Sequence, residues 1–150
     1  MKLETREFSR EAYKGIDEIK QELSPNYHKK ASSLIQSLPA YIATWGLHRL
    51  SGDASRYRNR NSEDTVYKST VYAKFLEKLQ AFYNQDGNRN DCDFSEASLL
   101  HMDLRRYTTL NHLALQLAKE WSFWAVAVLG QEEENSSPDN NHDQQQSSDR

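Results

Sequence analysis

A stripe of apolar side chains near the C-terminus constrains the fold more than any other feature of the sequence. Between about Asp103 and Leu129, apolar residues recur in steps of three and four: Leu104, Tyr107, Leu110, Ala114, Leu117, Trp121, Trp124, Ala125 and Val128. This spacing predicts an amphipathic helix that faces a core. Further apolar residues beside the stripe predict a central helix, covered on several sides and roughly 40 Å long. Gly130 follows as its expected C-terminal stop.

The first third of the chain predicts three further helices. The first covers residues 3–23, and the second runs from Pro25 to about Gln36 because Ser-Pro is a typical helix start. Pro39 is predicted to break the pattern, since proline removes a backbone donor inside a helix. A third helix would then begin near Ser37 and stop at residues 51–52.

Two polar segments separate the remaining helices. Residues 52–62 are predicted to form a basic loop, and residues 86–93 a second loop. A fourth helix is predicted from Ser62 to about Tyr83, and a short one from Ser95 to about Met102. No run alternates apolar and polar residues for long enough to predict a strand. The fold class is therefore all-α: an irregular bundle of five or six helices around the long C-terminal helix.

Charge divides the chain into two parts. Residues 131–150 hold one of the 19 Lys/Arg and six of the 22 Asp/Glu, which leaves 18 cations and 16 anions in residues 1–130. The sequence thus predicts a slightly basic helical domain over 1–130 and a disordered acidic tail over 131–150. The single cysteine, Cys92, cannot form an internal disulfide, and no apolar run is long enough to span a bilayer. We expect a soluble cytoplasmic protein with no membrane contact.

Motifs for metal or nucleotide chemistry are missing from the sequence. The five histidines show neither HxxxH nor HExxH spacing, and no glycine-rich phosphate loop occurs. The segment from Asp86 imitates the start of a calcium loop, but Asp91 and Ala97 stand where such a loop needs glycine and glutamate. No cofactor or metal is therefore predicted.

One pattern is compatible with an enzyme. Arg106 and His112 lie six residues apart, which matches the R-x4–6-H motif of HEPN-type ribonucleases. In such a site the arginine would stabilise phosphate charge and the histidine would transfer a proton. Six residues along one helix leave two side chains about 240° out of phase, however, so one chain would not bring the pair together.

Basic residues next to aromatic ones suggest contact with a nucleic acid. Cations neutralise phosphates, and tyrosine rings stack on unpaired bases. The alternative is the ordinary solvated surface of a helical protein. The candidate RNA-binding residues are Lys29, Lys30, Arg49, Arg56, Arg58, Arg60, Arg105 and Arg106.

Two stretches carry a family resemblance. Residues 27–47 contain a helix that starts at a tyrosine, then Pro39 with an apolar pair, then Gly46-Leu47. Residues 103–129 contain an aromatic near the helix start, an Ala/Leu run, Trp121 and a closing apolar segment. In this order and at these distances, the stretches resemble the small-subunit family of type III-B (Cmr) CRISPR complexes. The chain departs from that family at Trp45, where an asparagine is usual, and at Ser122 and Phe123, which replace a basic pair.

The resemblance implies a non-catalytic helical subunit of an RNA-guided antiviral complex. Its implied partners are the backbone and large subunits of the complex, other copies of itself, the guide RNA and the target RNA. Such a subunit would support RNA binding through phosphate contacts, while base pairing provides sequence specificity. A HEPN-like ribonuclease and a protein-only helical scaffold are the alternatives.

Overall fold

The described part of the computed structural model is helical throughout. It comprises residues 5–60, 62–84 and 93–131, and 88% of these residues lie in helices and none in a strand. The all-α prediction is therefore confirmed. The helices are α1 (Thr5–Glu22), α2 (His28–Trp45), α3 (Leu47–Arg58), α4 (Glu63–Asn84), α5 (Glu96–Leu100) and α6 (Leu104–Leu129), with one 3-10 turn at Pro25–Tyr27.

The long C-terminal helix is central, as predicted. α6 packs chiefly on α2 and α1 and also touches α4. Trp121 is fully buried in this contact: its ring meets Phe75 of α4 edge-on, and Gly15 of α1 lies against its other side. The side of α6 that faces away from α1 and α2 is less covered than expected, because Phe123 remains 67% exposed. Most of the stripe from Leu110 to Ala125 thus lies in the core, whereas Leu104 at its start is 77% exposed. Of the apolar residues beside the stripe, Ala118 and Leu129 are buried and Phe123 and Val126 are exposed.

The prediction that Pro39 ends a helix is wrong. α2 continues through Pro39 to Trp45, with Ile35, Leu38 and Ile42 buried on both sides of the proline. Pro39 costs the helix one backbone hydrogen bond, and the burial of these side chains offsets that cost. The break falls instead at Gly46, whose φ of 82° and ψ of 166° lie in a region that only glycine visits readily.

The predicted basic loop over 52–62 is also largely helical. α3 runs from Leu47 to Arg58, so Arg56 and Arg58 lie on its last turn. Two backbone amides at the start of α3 donate to α6: Leu47 to the Asn111 side chain (2.9 Å) and His48 to the Tyr107 hydroxyl (3.5 Å). These caps come from about sixty residues away, so no local start signal in the sequence reveals them.

The predicted start of the short helix is confirmed. The Ser95 hydroxyl accepts a hydrogen bond from the Ser98 backbone amide (3.3 Å), and α5 follows directly. The predicted second loop, with Cys92, and residues 132–150 of the acidic tail lie outside the described residues, apart from Asp93. The division into two parts therefore stays a prediction. None of the described helices has the length and apolarity to cross a membrane.

Two lysines join α4 to α1. The Lys74 ammonium lies 2.8 Å from a Glu22 carboxylate oxygen and 3.5 Å from one of Glu18, and the Lys78 ammonium lies 2.8 Å from Glu18. The hydrogen bond from Lys78 lowers the pKa of Glu18, and the hydrogen bond to Glu22 raises the pKa of Lys74. These cations are committed to carboxylates and do not add to the charge available for a ligand.

Replacing Gly15 with alanine is expected to destabilise the bundle although Gly15 lies inside a helix. Its new Cβ atom would lie 2.6 Å from Cζ2 of the buried Trp121 ring. Overpacking of this kind costs about 1–3 kcal/mol. Gly52 of α3 is the matched control, because the nearest described atom to its added Cβ would be Cγ of Glu96, 3.9 Å away. Gly52→Ala should gain about 0.5–1 kcal/mol from helix propensity. Urea unfolding measures both, and equal stability of the two variants would contradict the packing of Gly15 on Trp121.

Candidate nucleic-acid interface

Cationic charge is concentrated on two adjacent helices. α2 and α3 together contain five of the eight candidate cations and one carboxylate, Asp53. Seven of the eight candidates are exposed and Arg106 is partly buried. The sequence-predicted residues on these two helices are Lys29, Lys30, Arg49, Arg56 and Arg58.

Five tyrosines connect α2, α3 and α4 on the same side of the bundle. Tyr27 stacks on Tyr67 with ring centres 6.0 Å apart and planes 16° from parallel. Tyr72 lies between two other rings, 6.2 Å from Tyr41 and 5.9 Å from Tyr57. Tyr67 also interacts electrostatically with Tyr72, which links the Tyr27–Tyr67 pair to the cluster of Tyr41, Tyr57 and Tyr72. All are half-buried except Tyr72, which is buried, so together they form the floor of a surface.

Cations lie over these rings. The Lys30 ammonium is 5.8 Å from the Tyr27 ring centre, and two cations approach Tyr57: Arg56 at 6.0 Å and Lys68 at 5.4 Å. Within the described residues none of these three cations pairs with a carboxylate. We call this surface the tyrosine–cation face; it comprises Tyr27, Tyr41, Tyr57, Tyr67 and Tyr72 with Lys30, Arg49, Arg56 and Lys68.

Lys68 is the member that sequence reasoning missed. It directly follows Tyr67 on α4, so the pair is a basic–aromatic dipeptide like those noted on α2 and α3. The sequence predicts only a helix from Ser62 to about Tyr83 here and gives Lys68 no role. Counting every Lys or Arg next to a tyrosine could have found it.

Arg49 extends the face to the end of α2. Its guanidinium carbon lies 4.7 Å from the centre of the Trp45 ring, within the range of a cation–π contact. Arg49 also acts electrostatically on Tyr41. A continuous series of aromatic and cationic groups thus runs from Trp45 to Tyr57.

The one carboxylate on α2 and α3 is held inside this surface. The Tyr41 hydroxyl donates a hydrogen bond to Asp53. Burial, together with this hydrogen bond, raises the pKa of Tyr41 far above its usual value. Burial and the nearby Tyr57 raise the pKa of Tyr72 to about 12. Both rings are therefore neutral hydrogen-bonding groups over the whole physiological pH range.

These shifts predict loss of stability in alkali. Between pH 10 and about 12 the folded chain keeps the Tyr72 proton that the unfolded chain releases, so the free energy of unfolding falls as pH rises above 10. Phenolate absorbance should show tyrosines that ionise only near or above pH 12, and Tyr72→Phe should remove one of them. Tyr13→Phe is the control, because Tyr13 is half exposed. Ionisation of all tyrosines together near pH 10 in the folded chain would contradict the burial of Tyr72.

Two of the predicted cations face elsewhere. Arg58 acts electrostatically on Glu96, whose pKa is lowered by a Ser55 hydrogen bond and by the arginine charge, across an open cavity between α3, α4 and α5. The Arg106 Nε atom donates to the Tyr83 hydroxyl of α4 (3.2 Å). Lys29, Arg60 and Arg105 are exposed, and within the described residues no side-chain contact joins them to the tyrosine–cation face, although the Arg60 backbone amide donates to the Tyr57 carbonyl (3.2 Å).

The geometry does not assemble the proposed ribonuclease pair within one chain. Arg106 is directed toward α4, whereas the His112 ring is exposed and lies 3.1 Å from the Gln116 amide one turn further along α6. This is the phase difference expected from six residues on one helix. Nucleophilic or acid–base chemistry by this pair would require a second chain.

The comparison with known families now decides the relationship. The family model of the CRISPR-associated protein (Cas_Cmr5) matches residues 4–122, which span α1 to most of α6. The chain belongs to this family. It is the small-subunit family of type III-B (Cmr) CRISPR complexes, as the sequence resemblance indicated. No curated protein and no solved structure matched the chain significantly.

Membership in the Cmr small-subunit family indicates which partners the surfaces of this chain can contact. The chain is a CRISPR Cmr small subunit, and other components of such a complex are its partners. The match includes every helix that contributes to the tyrosine–cation face.

Proposed function

We propose that this Cmr small subunit is a non-catalytic protein that binds RNA within the assembled complex through its tyrosine–cation face. The observation that carries the proposal is the set of cations held over tyrosine rings without a carboxylate partner among the described residues. An unpaired cation held by an aromatic ring remains able to bind phosphate. Lys74 and Lys78 differ from these cations, because each forms an ion pair with a carboxylate of α1 and thereby stabilises the bundle.

The face suits a backbone contact that does not depend on base sequence. Lys30, Arg56 and Lys68 would each neutralise a phosphate and release bound counterions. The hydroxyls of the half-buried Tyr27, Tyr57 and Tyr67 can donate to phosphate or ribose oxygens. Sequence recognition would then come from pairing between guide and target, as in other RNA-guided systems.

We propose that the remaining predicted cations contribute less to RNA binding. Lys29 is exposed next to Lys30 in the chain, Arg60 is exposed and its backbone amide donates to the Tyr57 carbonyl, and Arg105 is exposed at the start of α6. Arg106 donates to Tyr83 of α4, so it would contribute only after rearrangement, and the exposed Arg58 lies beside the cavity that faces Glu96 of α5. We further propose that the subunit acts in the cytoplasm, beside the backbone and large subunits and other copies of itself, on guide and target RNA.

Reconstitution of the complex with and without this chain tests whether the chain contributes to RNA binding. The complete complex should bind labelled target RNA more tightly and with a steeper salt dependence than the complex that lacks the chain. Equal affinity and equal salt dependence would overturn the RNA-binding proposal in favour of a protein-only scaffold.

Incubation of the purified chain with labelled single-stranded RNA tests the absence of catalysis. Intact RNA is the expected result, with and without the substitution His112→Ala. Cleavage that the wild-type chain performs and His112→Ala abolishes would instead establish the ribonuclease alternative.

A further inference from the structure

Trp45 differs from the other two tryptophans in its surroundings. Trp121 is fully buried and Trp124 has its indole nitrogen buried, whereas Trp45 is 51% exposed at the last position of α2. Single exposed apolar side chains are common on protein surfaces, so exposure alone points to no ligand. The second observation is the Arg49 guanidinium, which lies over the Trp45 ring at 4.7 Å.

The chain break at Gly46 creates this arrangement. α2 ends at Trp45, Gly46 takes its positive φ of 82°, and α3 starts at Leu47, which brings Arg49 back over the indole. α6 leaves no room for a side chain at residue 46, because the Tyr107 hydroxyl lies 2.5 Å from where a Cβ would be. The Trp45–Arg49 pair therefore rests on a rigid junction of three helices and is in place before any ligand arrives.

The charge around this pair favours a polyanion. α2 contains no carboxylate, and the only one on α3, Asp53, accepts a hydrogen bond from Tyr41. Arg49 makes no ion pair within the described residues. A planar guanidinium and an indole are both surfaces on which unpaired bases stack, and the guanidinium also binds phosphate.

We infer that Trp45 and Arg49 form a stacking site for an unpaired RNA base, at the end of the tyrosine–cation face. The inference rests on the proposed RNA-binding function and adds single-strand recognition to it. Phosphate contacts along the face accept any RNA backbone. The Trp45–Arg49 pair would add affinity only where a base is free to leave its stack, which selects single-stranded over duplex RNA.

The test uses the full chain and three probes of equal length: single-stranded oligouridylate of about twelve nucleotides, an abasic ribose-phosphate strand and an RNA duplex. Oligouridylate should quench the fluorescence of Trp45, and the abasic strand should not. Trp45→Ala should weaken oligouridylate binding roughly fivefold to hundredfold, the range found for single stacked bases. Its binding to the abasic strand and the duplex should not change.

Trp45→Phe is the matched control, because it keeps a stacking ring and should retain most of the oligouridylate affinity. If Trp45→Ala binds oligouridylate as the wild type does, the stacking site is overturned while the phosphate-binding proposal stands. If the wild-type chain binds none of the probes, alone or in the complex, the proposed function itself fails. If Trp45→Ala loses other subunits of the complex but not RNA, the residue packs against protein and the inference is wrong.

Discussion

Trp121→Ala is expected to lower the free energy of unfolding by about 3–5 kcal/mol, the range for a large aromatic side chain removed from a packed core. Trp121 is fully buried between α1 and α4, with Phe75 edge-on to its ring and Gly15 against its other side. Its indole nitrogen has no hydrogen-bond partner in the part of the chain that the structure describes, so the substitution leaves no partner group there unsatisfied. The loss is therefore that of packing alone. Urea unfolding followed by circular dichroism measures it.

Phe123→Ala is the matched control for this prediction. Phe123 is an aromatic residue two positions further along α6, but it is 67% exposed and touches mainly the ring of Trp124. Surface substitutions usually change stability by less than about 0.5 kcal/mol, so this variant should unfold close to the wild type. Comparable losses at both positions would contradict the orientation of α6 in the bundle.

Neutralising the three cations that lie on tyrosine rings should greatly weaken RNA binding. In the variant with Lys30, Arg56 and Lys68 all changed to alanine, three phosphate contacts are lost. Each contact on a single strand contributes about 0.7 to the slope of log K against log salt, so the slope should fall by about 2. Affinity at roughly 0.1 M salt should then drop by about tenfold to hundredfold. Filter binding of target RNA to the reconstituted complex over a series of salt concentrations measures both quantities.

A second triple variant separates a local effect from a loss of general charge. Arg10, Lys14 and Lys119 are exposed cations on α1 and α6 rather than on α2 to α4. Changing them to alanine removes the same charge, and their loss should leave the salt slope nearly unchanged. Equal effects of the two triple variants would show that RNA senses only net charge, and would remove the tyrosine–cation face from the account.

The helices could be predicted from the sequence because apolar periodicity reports directly on burial. The α6 stripe predicted the core residues Leu110, Ala114, Leu117 and Trp121, and all four are buried. The Ser95 cap was also predictable, because a serine hydroxyl acts on an amide three residues away. In both cases the determining interaction is local or is repeated along one element.

The break between α2 and α3 could not be placed from local signals. Proline has a large local penalty, so Pro39 was the natural choice, yet tertiary burial of Leu38 and Ile42 keeps α2 intact. The real break needs Gly46, with α6 supplying the caps from Asn111 and Tyr107. Interactions between residues sixty positions apart leave no pattern in a single sequence.

The candidate site was predictable in part. Local positive charge with aromatic residues nearby pointed to Lys30, Arg49 and Arg56, which the fold brings to one surface. The same criterion selected Arg58, which lies beside the cavity that also contains Glu96, and Arg106, which donates to Tyr83. Spacing in the sequence shows which residues share one side of a helix. It does not show what that side faces, because this depends on how the neighbouring helices pack.

Mapping of ultraviolet cross-links between target RNA and this subunit in the assembled complex tests the central claim most directly. We predict cross-linked peptides around Tyr27, Tyr57 and Tyr67, which are half-buried rings of the tyrosine–cation face. Lys30 lies over Tyr27, Arg56 and Lys68 lie over Tyr57, and Tyr67 stacks on Tyr27. Tyr13, half exposed and edge-on to Trp124 on the α1–α6 side, is the internal comparison and should remain unmodified. Cross-links confined to Tyr13 and its neighbours, with none on α2 to α4, would contradict the account.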